Sequence, residues 1–209
     1  MSETVDVRAL LGGMDIYLVD QWQRGRLAPG MRVLDAGCGG GRNVGPLLGA
    51  GFDVAGNDAS REAVEGVREM AVRLRPGLRQ GVEQRFRVEA VEDTSFEPES
   101  FDVVVCNAVL HFANGPQHFE AMLTGVWKAL APGGTFFARL ASSIGIEPLV
   151  QPLGQGRYGL PDGSERFLVD QEALLSSTER LGAELLDPIK TTNVQNRRCM
   201  TTWVLRRSS

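Results

Sequence analysis

The chain has 209 residues, 43% of them hydrophobic and 23% charged, with a formal net charge of −4. That balance suits a soluble globular domain with a buried core, and its acidic sign argues against nucleic acid as a partner. No apolar run approaches the roughly 18 residues that span a bilayer and no secretory leader opens the chain, which argues against a membrane partner.

The elements expected in chain order begin with an N-terminal helical arm over residues 1–30. Leu10, Met14, Leu18 and Trp22 recur every four residues, and Gly25 with Pro29-Gly30 ends the segment. A single α/β domain is expected over residues 31–209. MRVLDAG reads as a buried strand, GRNVGPLLGAG as a helix closing at Gly51, and FDVAGND as a second strand. Ser60 is placed to cap a helix carrying Ala63, Val64, Val67 and Leu74, which Pro76-Gly77 stops. RFRVEA and FDVVVCN read as strands. Phe119, Met122, Leu123, Val126, Trp127 and Leu130 then form a helical stripe that APGG ends, before the strand TFFARLA.

The Gly- and Pro-rich residues 148–169 carry the turn signal PDG and read as a lid or substrate loop. DQEALLSSTERLG reads as a helix capped by Asp170. AELLDPIKTTN and CMTTWVLRR read as two strands joined by VQNRR in a hairpin. Strands alternating with helices predict a doubly wound, mostly parallel α/β sheet with an antiparallel C-terminal hairpin.

In such sheets ligands sit beyond the carboxyl ends of the strands, which directs attention to VLDAGCGGGRN, residues 33–43. Glycine permits close backbone approach and a sharp turn into a helix start that favours an anionic group. A dinucleotide fingerprint would be G-x-G-x-x-G, but counting from Gly37 puts Arg42 at the third glycine. Arg42 also has the wrong sign for a helix N-terminus, so it calls for an anionic neighbour. Asp58 ends the second strand about twenty residues on, where a carboxylate can accept from both ribose hydroxyls or simply cap the helix at Ser60.

Taken in order, VLDAGCGGGRN, FDVAGNDAS, ESFDVVVCNAVLHF and LAPGGTFFARL resemble the class I S-adenosylmethionine-dependent methyltransferases over most of residues 31–141. The compact layout is similar to small-molecule members, including the tellurite-resistance type. The resemblance implies S-adenosylmethionine as cofactor and S-adenosylhomocysteine as product. It implies that Asp35, Gly37, Gly39 and Gly41 form a loop against the amino-acid part of the cofactor, with Cys38, Asn43, Ala59 and Asn107 beside it, and that Asp58 takes the ribose. Arg42 would pair with the cofactor's carboxylate. The family's aspartate near the adenine falls on Ala90 here, so Ala90 and Val91, or else Glu89 or Glu92, would carry that contact.

On the substrate side, His111 follows the fourth strand and is a candidate general base, or a packed histidine; His118 reads as a surface residue. Arg139, expected to end the fifth strand, joins Arg157, Tyr158 and Arg166 of the 148–169 segment as substrate candidates, with Tyr158 also a candidate catalytic group. The hairpin adds Asn196, Arg197 and Arg198. These arginines either hold an acidic substrate or solvate the loop. Tyr17 and Trp22 either cover the cofactor or pack in the core. Cys38, Cys106 and Cys199 are odd in number and in no CxxC or metal spacing, as suits reduced thiols in a cytoplasm, and HExxH and GxSxG are absent. No metal is expected. The leading expectation is metal-free, in-line methyl transfer to a small molecule. A catalytically silent cofactor-binding module, or a nicotinamide-dependent oxidoreductase, is the alternative. Oligomeric state is left open.

Overall fold

A computed structural model of the chain describes residues 11–209. Leu10 and the start of the expected arm lie outside the described residues. The chain forms two compact units, Met1–Val91 and Glu92–Ser209.

In the first unit, helix α1 spans Ile16–Gln23 and starts where the Asp15 carboxylate accepts the Tyr17 N–H at 3.0 Å. Leu18 is fully buried, and Trp22 meets the Phe52 ring edge-on with centroids 5.3 Å apart. Trp22 therefore packs into the body of the unit. Strands β1 (Arg32–Ala36), β2 (Asp53–Asp58) and β3 (Phe86–Val88) pair in parallel, with Val33 opposite Val54 and Asn57 opposite Arg87. Helices α2 (Val44–Gly49), α3 (Arg61–Leu74) and α4 (Val82–Arg85) connect them. The Ser60 hydroxyl accepts the Ala63 N–H, which caps α3. Val64, Val67 and Ala71 form its buried stripe, whereas Leu74 is exposed.

In the second unit, β4 (Phe101–Asn107) pairs in parallel with β5 (Leu130–Ser142), and α5 (Pro116–Ala129) crosses between them. The APGG stretch does not separate helix from strand as expected. Leu130 already pairs with Phe101, and the four residues form an irregularity before Thr135 resumes the register opposite Val103. Further on, β5 pairs antiparallel with β11 (Arg198–Arg207), which in turn pairs with β10 (Lys190–Val194) and β9 (Ala183–Leu185). The segment expected as one strand before the hairpin is thus two, parted at Asp187-Pro188, where proline has no N–H for the ladder. The hairpin turn places Gln195 and Asn196 at φ of 52° and 57°, as a tight turn of this hand requires.

Residues 148–169 are not an irregular loop. They form a three-stranded antiparallel sheet of β6 (Gln151–Gly154), β7 (Arg157–Gly159) and β8 (Glu165–Phe167). Its PDG turn is tied by the Asp162 carboxylate, which accepts the Ser164 N–H and hydroxyl at 3.0 and 2.6 Å. Leu160 and Leu168 pack on Ala141 of β5, with Tyr158 and Met200 beside them. Helix α6 (Gln171–Arg180), capped by Asp170, covers β11 through Thr178, whose hydroxyl accepts the indole N–H of fully buried Trp203 at 3.0 Å. Parallel pairing in both units with an antiparallel C-terminal hairpin is the expected α/β class. Among the described residues no helix is long and apolar enough to cross a membrane.

Candidate functional site

The glycine loop takes its shape from alternate glycines. Gly37, Gly39 and Gly41 have φ of 71°, 49° and 78°, a region that side-chain-bearing residues rarely occupy. The Gly37 and Cys38 N–H groups both donate to the Asn57 carbonyl at 2.9 Å, folding the loop over the end of β2. A methyl group on Gly39 or Gly40 would meet nothing within 4 Å, so the backbone there is open to a ligand. Cys38, Cys106 and Cys199 are all buried and in no disulfide.

Beneath the loop lie two acids in different states. Asp35 ends the apolar part of β1 and is 1% exposed, and its Oδ2 has no hydrogen-bond partner among the described residues. Burial pushes its carboxyl up to about 7, against the pull of a hydrogen bond from Asn43 and of the Arg42 charge. A buried carboxylate with a vacant lone pair is complementary to a cationic ligand group. Asn43 is a relay: it serves Asp35, and its Oδ1 accepts the Asp15 backbone N–H at 3.2 Å. Arg42 finds its anionic neighbour within the chain, because its Nη2 lies 3.5 Å from the buried Asp15 carboxylate. That pair ties the start of α1 to the glycine loop, so the expected pairing with a ligand carboxylate has a competitor.

Asp58 holds the loop and the start of α3 together. Its Oδ2 accepts the Gly39 N–H at 2.9 Å and its Oδ1 accepts the Ser60 N–H at 2.8 Å. A carboxylate has about four lone-pair positions, so two remain for ribose hydroxyls. Ala59 is exposed beside it. Asn57 was missed by sequence reasoning. It is fully buried, and its amide donates to the Glu89 and Ala90 carbonyls at 3.4 and 3.2 Å, which fixes the segment holding Ala90 and Val91. The only signal for it is a polar residue closing an otherwise apolar strand. Glu92 is not free for an adenine contact, because it accepts from His118 Nε2 at 2.9 Å. His118 keeps part of its ring at the surface, and its Nδ1 accepts the Asn114 N–H.

The second unit gathers the remaining candidates unequally. Asn107 closes β4 and is 7% exposed, and neither its Nδ2 nor its Oδ1 has a partner among the described residues. His111 lies in a short 3-10 turn, Leu110–Phe112, and its Nδ1 accepts the Ala141 N–H at 3.1 Å. Burial, with the Arg166 and Arg198 charges nearby, lowers the imidazole to about 4. His111 is therefore neutral at pH 7 with its proton on Nε2, a hydrogen-bond donor where a general base was expected. Arg166 places its guanidinium carbon 4.9 Å from the centre of the Phe112 ring. Arg157 is held by Glu165 at 3.2 Å across β7 and β8, and Arg197 is exposed in the hairpin turn. Arg139 lies inside β5, opposite Asn107 and Thr202, three residues before the strand ends at Ser142. Tyr158 is half-buried against Ala141 and Leu160.

Comparison with known proteins bears on this arrangement. A family model described as a methyltransferase domain matches residues 34–138, half of the chain. A "Ubiquinone biosynthesis O-methyltransferase" of Xanthomonas campestris pv. campestris (strain B100) is 36% identical over 144 residues, 64% of this chain and 56% of that protein. The chain thus spans little more than half the length of this relative. A 1,6-didemethyltoxoflavin-N1-methyltransferase of Burkholderia thailandensis, solved with 1,6-didemethyltoxoflavin and S-adenosylhomocysteine, is similar in fold at a TM-score of 0.66 and 18% identity, over 98% of this chain and 82% of that one. The [4+2]-cyclase SpnF is similar in fold at a TM-score of 0.67 and 16% identity, over 91% of this chain and 81% of that one. The matched residues begin at Leu34, inside the strand that feeds the glycine loop, and end at Ala138, inside β5. By this match the chain belongs to the methyltransferase-domain family.

Proposed function

We propose that the protein transfers a methyl group from S-adenosylmethionine to a small-molecule acceptor and releases S-adenosylhomocysteine. The observation that carries the reading is the pair of acids at the glycine loop. Asp35 holds a vacant buried oxygen suited to an ammonium group, and Asp58 holds two free acceptor positions suited to a ribose. In this reading Gly37, Cys38, Gly39 and Gly41 let the amino-acid tail approach the backbone, while Asn43 and Arg42 hold Asp35 and the loop in place. Asn57 presents Ala90 and Val91 as the wall for the adenine, with Ala59 at the ribose, and the unpartnered carboxamide of Asn107 is left for a polar ligand group. When bound, the sulfonium supplies an already activated methyl group, so the residues need to align the acceptor and exclude water. His111 orients the acceptor as a donor from Nε2, and removal of the acceptor's proton is not assigned to it. The relatives are named for methylating oxygen and nitrogen, which supports a small-molecule acceptor of either kind. Three buried cysteines outside any disulfide support a reducing, cytoplasmic setting.

A second reading is a cofactor-binding module without turnover. It is favoured by one observation, the conversion of the expected base His111 into a donor, and the fold does not oppose it, since a protein named as a cyclase shares it. The nicotinamide reading fits less well, because Arg42 stands where the third fingerprint glycine would be. Thermal unfolding separates these. S-adenosylhomocysteine at about 100 times its dissociation constant adds about 2.7 kcal/mol of stability, and Asp58→Ala abolishes that gain. Stabilisation by NAD and not by S-adenosylhomocysteine overturns the reading. Formation of S-adenosylhomocysteine from S-adenosylmethionine in a metabolite extract separates enzyme from silent binder.

A further inference from the structure

The second unit contains a positively charged cluster around His111 whose arginines the proposed methyl transfer leaves without a role. It is built on the 3-10 turn after β4. His111 is 6% exposed, its Nδ1 is committed to the Ala141 N–H at 3.1 Å, and that bond leaves the remaining proton on Nε2. No described residue accepts from Nε2. Phe112, the next residue, lies with its ring centroid 4.6 Å from that of His111 and is 57% exposed. Arg166 of β8 covers the same ring, its guanidinium carbon 4.9 Å from the centroid. Its one hydrogen bond among the described residues is to the Glu165 backbone carbonyl at 2.7 Å, and the nearby Asp162 carboxylate feels its charge without bonding it. The Glu165 side chain is taken by Arg157 at 3.2 Å. Arg198, at the start of β11, adds a second positive charge to the surroundings of His111, shared with Asp162 at 3.9 Å. Tyr158 of β7 is half-buried beside them, packed against the buried cluster of Ala141, Leu160 and Leu168.

These features combine one fixed N–H donor, one guanidinium with most of its N–H donors unused and an exposed aromatic ring. We propose that this cluster binds the substrate as a small organic acid, its carboxylate received by the His111 Nε2–H and the Arg166 guanidinium and its apolar body laid against Phe112. Arginine offers several N–H donors in a planar fork, of which only one is used here, so a carboxylate finds free donors already in place. The stacked ring holds the guanidinium in position. A neutral imidazole is the right partner, because it donates one hydrogen bond without requiring a second buried charge. The three-stranded sheet thus has a specific purpose, to carry Arg166 over the turn that carries His111. This inference rests on the methyl-transfer reading only for calling the bound acid a substrate.

Side-chain nitrogen NMR of the protein saturated with S-adenosylhomocysteine tests it, with benzoate as the probe and benzamide as its uncharged counterpart. Benzoate is expected to shift the His111 Nε2 and Arg166 Nε resonances saturably, and benzamide to bind at least about tenfold more weakly. Arg166→Gln is expected to weaken benzoate about tenfold, and Arg198→Gln about threefold through the field alone, while both variants keep their stabilisation by S-adenosylhomocysteine. Equal binding of benzoate and benzamide, or resonances that benzoate leaves unmoved, overturns the proposal. Loss of S-adenosylhomocysteine binding in the unmodified protein would instead strike the methyl-transfer reading, and the benzoate titration without it still decides the anion site.

Discussion

Asp35 and His111 are both buried, and burial disfavours the charged form of each, but they affect the pH dependence in opposite directions. Asp35 has its folded carboxyl raised to about 7 from an ordinary value of 3.8, so between those values the folded chain holds the proton that the unfolded chain has lost. Stability contributed by this group is therefore lost as pH rises from about 4 to about 7. Asp35→Asn is expected to raise the stability of the ligand-free protein at pH 8 by about 2 kcal/mol, with the gain vanishing near pH 4. The same variant should bind S-adenosylhomocysteine at least about tenfold more weakly, since the ligand's ammonium loses its counter-charge. A denaturant series at both pH values, beside a binding titration, checks the two signs together. In the unmodified protein, affinity should also fall as pH drops below about 7, because Asp35 must then release a proton on binding.

His111 runs the other way. Its imidazole titrates near 4 when folded and near 6.5 when unfolded, so stability is lost as pH falls through that window. His111→Gln keeps an acceptor for the Ala141 N–H and removes the titration. Its stability relative to the unmodified protein is expected to improve steadily from pH 6.5 to pH 4.5, and urea unfolding across that range measures it. A constant offset would mean that the imidazole charges freely in the folded state.

At the level of elements, the glycine loop depends on the helix beneath it. A methyl group on Gly41 would lie 2.5 Å from the Met70 Cε of α3 and would have to adopt a φ of 78°. Gly41→Ala should cost roughly 2–3 kcal/mol from overpacking and backbone strain together. Adding Met70→Ala relieves the closest packing contact and leaves the Val67 Cγ2 contact at 3.0 Å and the strain, so the double variant should recover only some of the loss. A full recovery in thermal unfolding would show that the backbone there tolerates a side chain.

The elements also show what was legible in the sequence. Long apolar runs marked β1, β2, β4 and the later part of β5, and Ser60 and Asp170 marked helix starts, because burial and capping are written in local residue types. The sheet of β6, β7 and β8 was not legible: its strands are three or four residues long, poorly buried apart from Phe167, and broken by Gly and Pro. The positions of Asp35, Asp58 and the loop glycines could be read from spacing. Their partners could not. Arg42 meets Asp15 from 27 residues away, and whether Arg157 or Arg166 is free depends on which of them Glu165 takes. Such choices are made by tertiary packing and leave no periodic trace.

For the whole molecule, the proposed cofactor and acid-binding residues fall largely in different units, and this assignment can be tested without any turnover. The residues proposed for the cofactor from Asp35 to Val91 all fall in the first unit, while His111, Phe112, Arg166 and Arg198 all fall in the second. Amide exchange reports local opening segment by segment. S-adenosylhomocysteine alone is expected to slow exchange at residues 37–43 and 57–60, where the Gly39 N–H bonds Asp58 and the Ser60 N–H closes the same carboxylate. It should also slow residues 89–91, which hang from the Asn57 amide. Asn57→Ala should remove the last of these effects and keep the first, because the loop bonds the Asn57 backbone carbonyl and not its side chain. Benzoate alone is expected to slow residues 109–112 and 156–167 and to leave 37–43 unchanged. If S-adenosylhomocysteine instead protects only the second unit, the assignment of the glycine loop to the cofactor fails, whatever the acceptor proves to be.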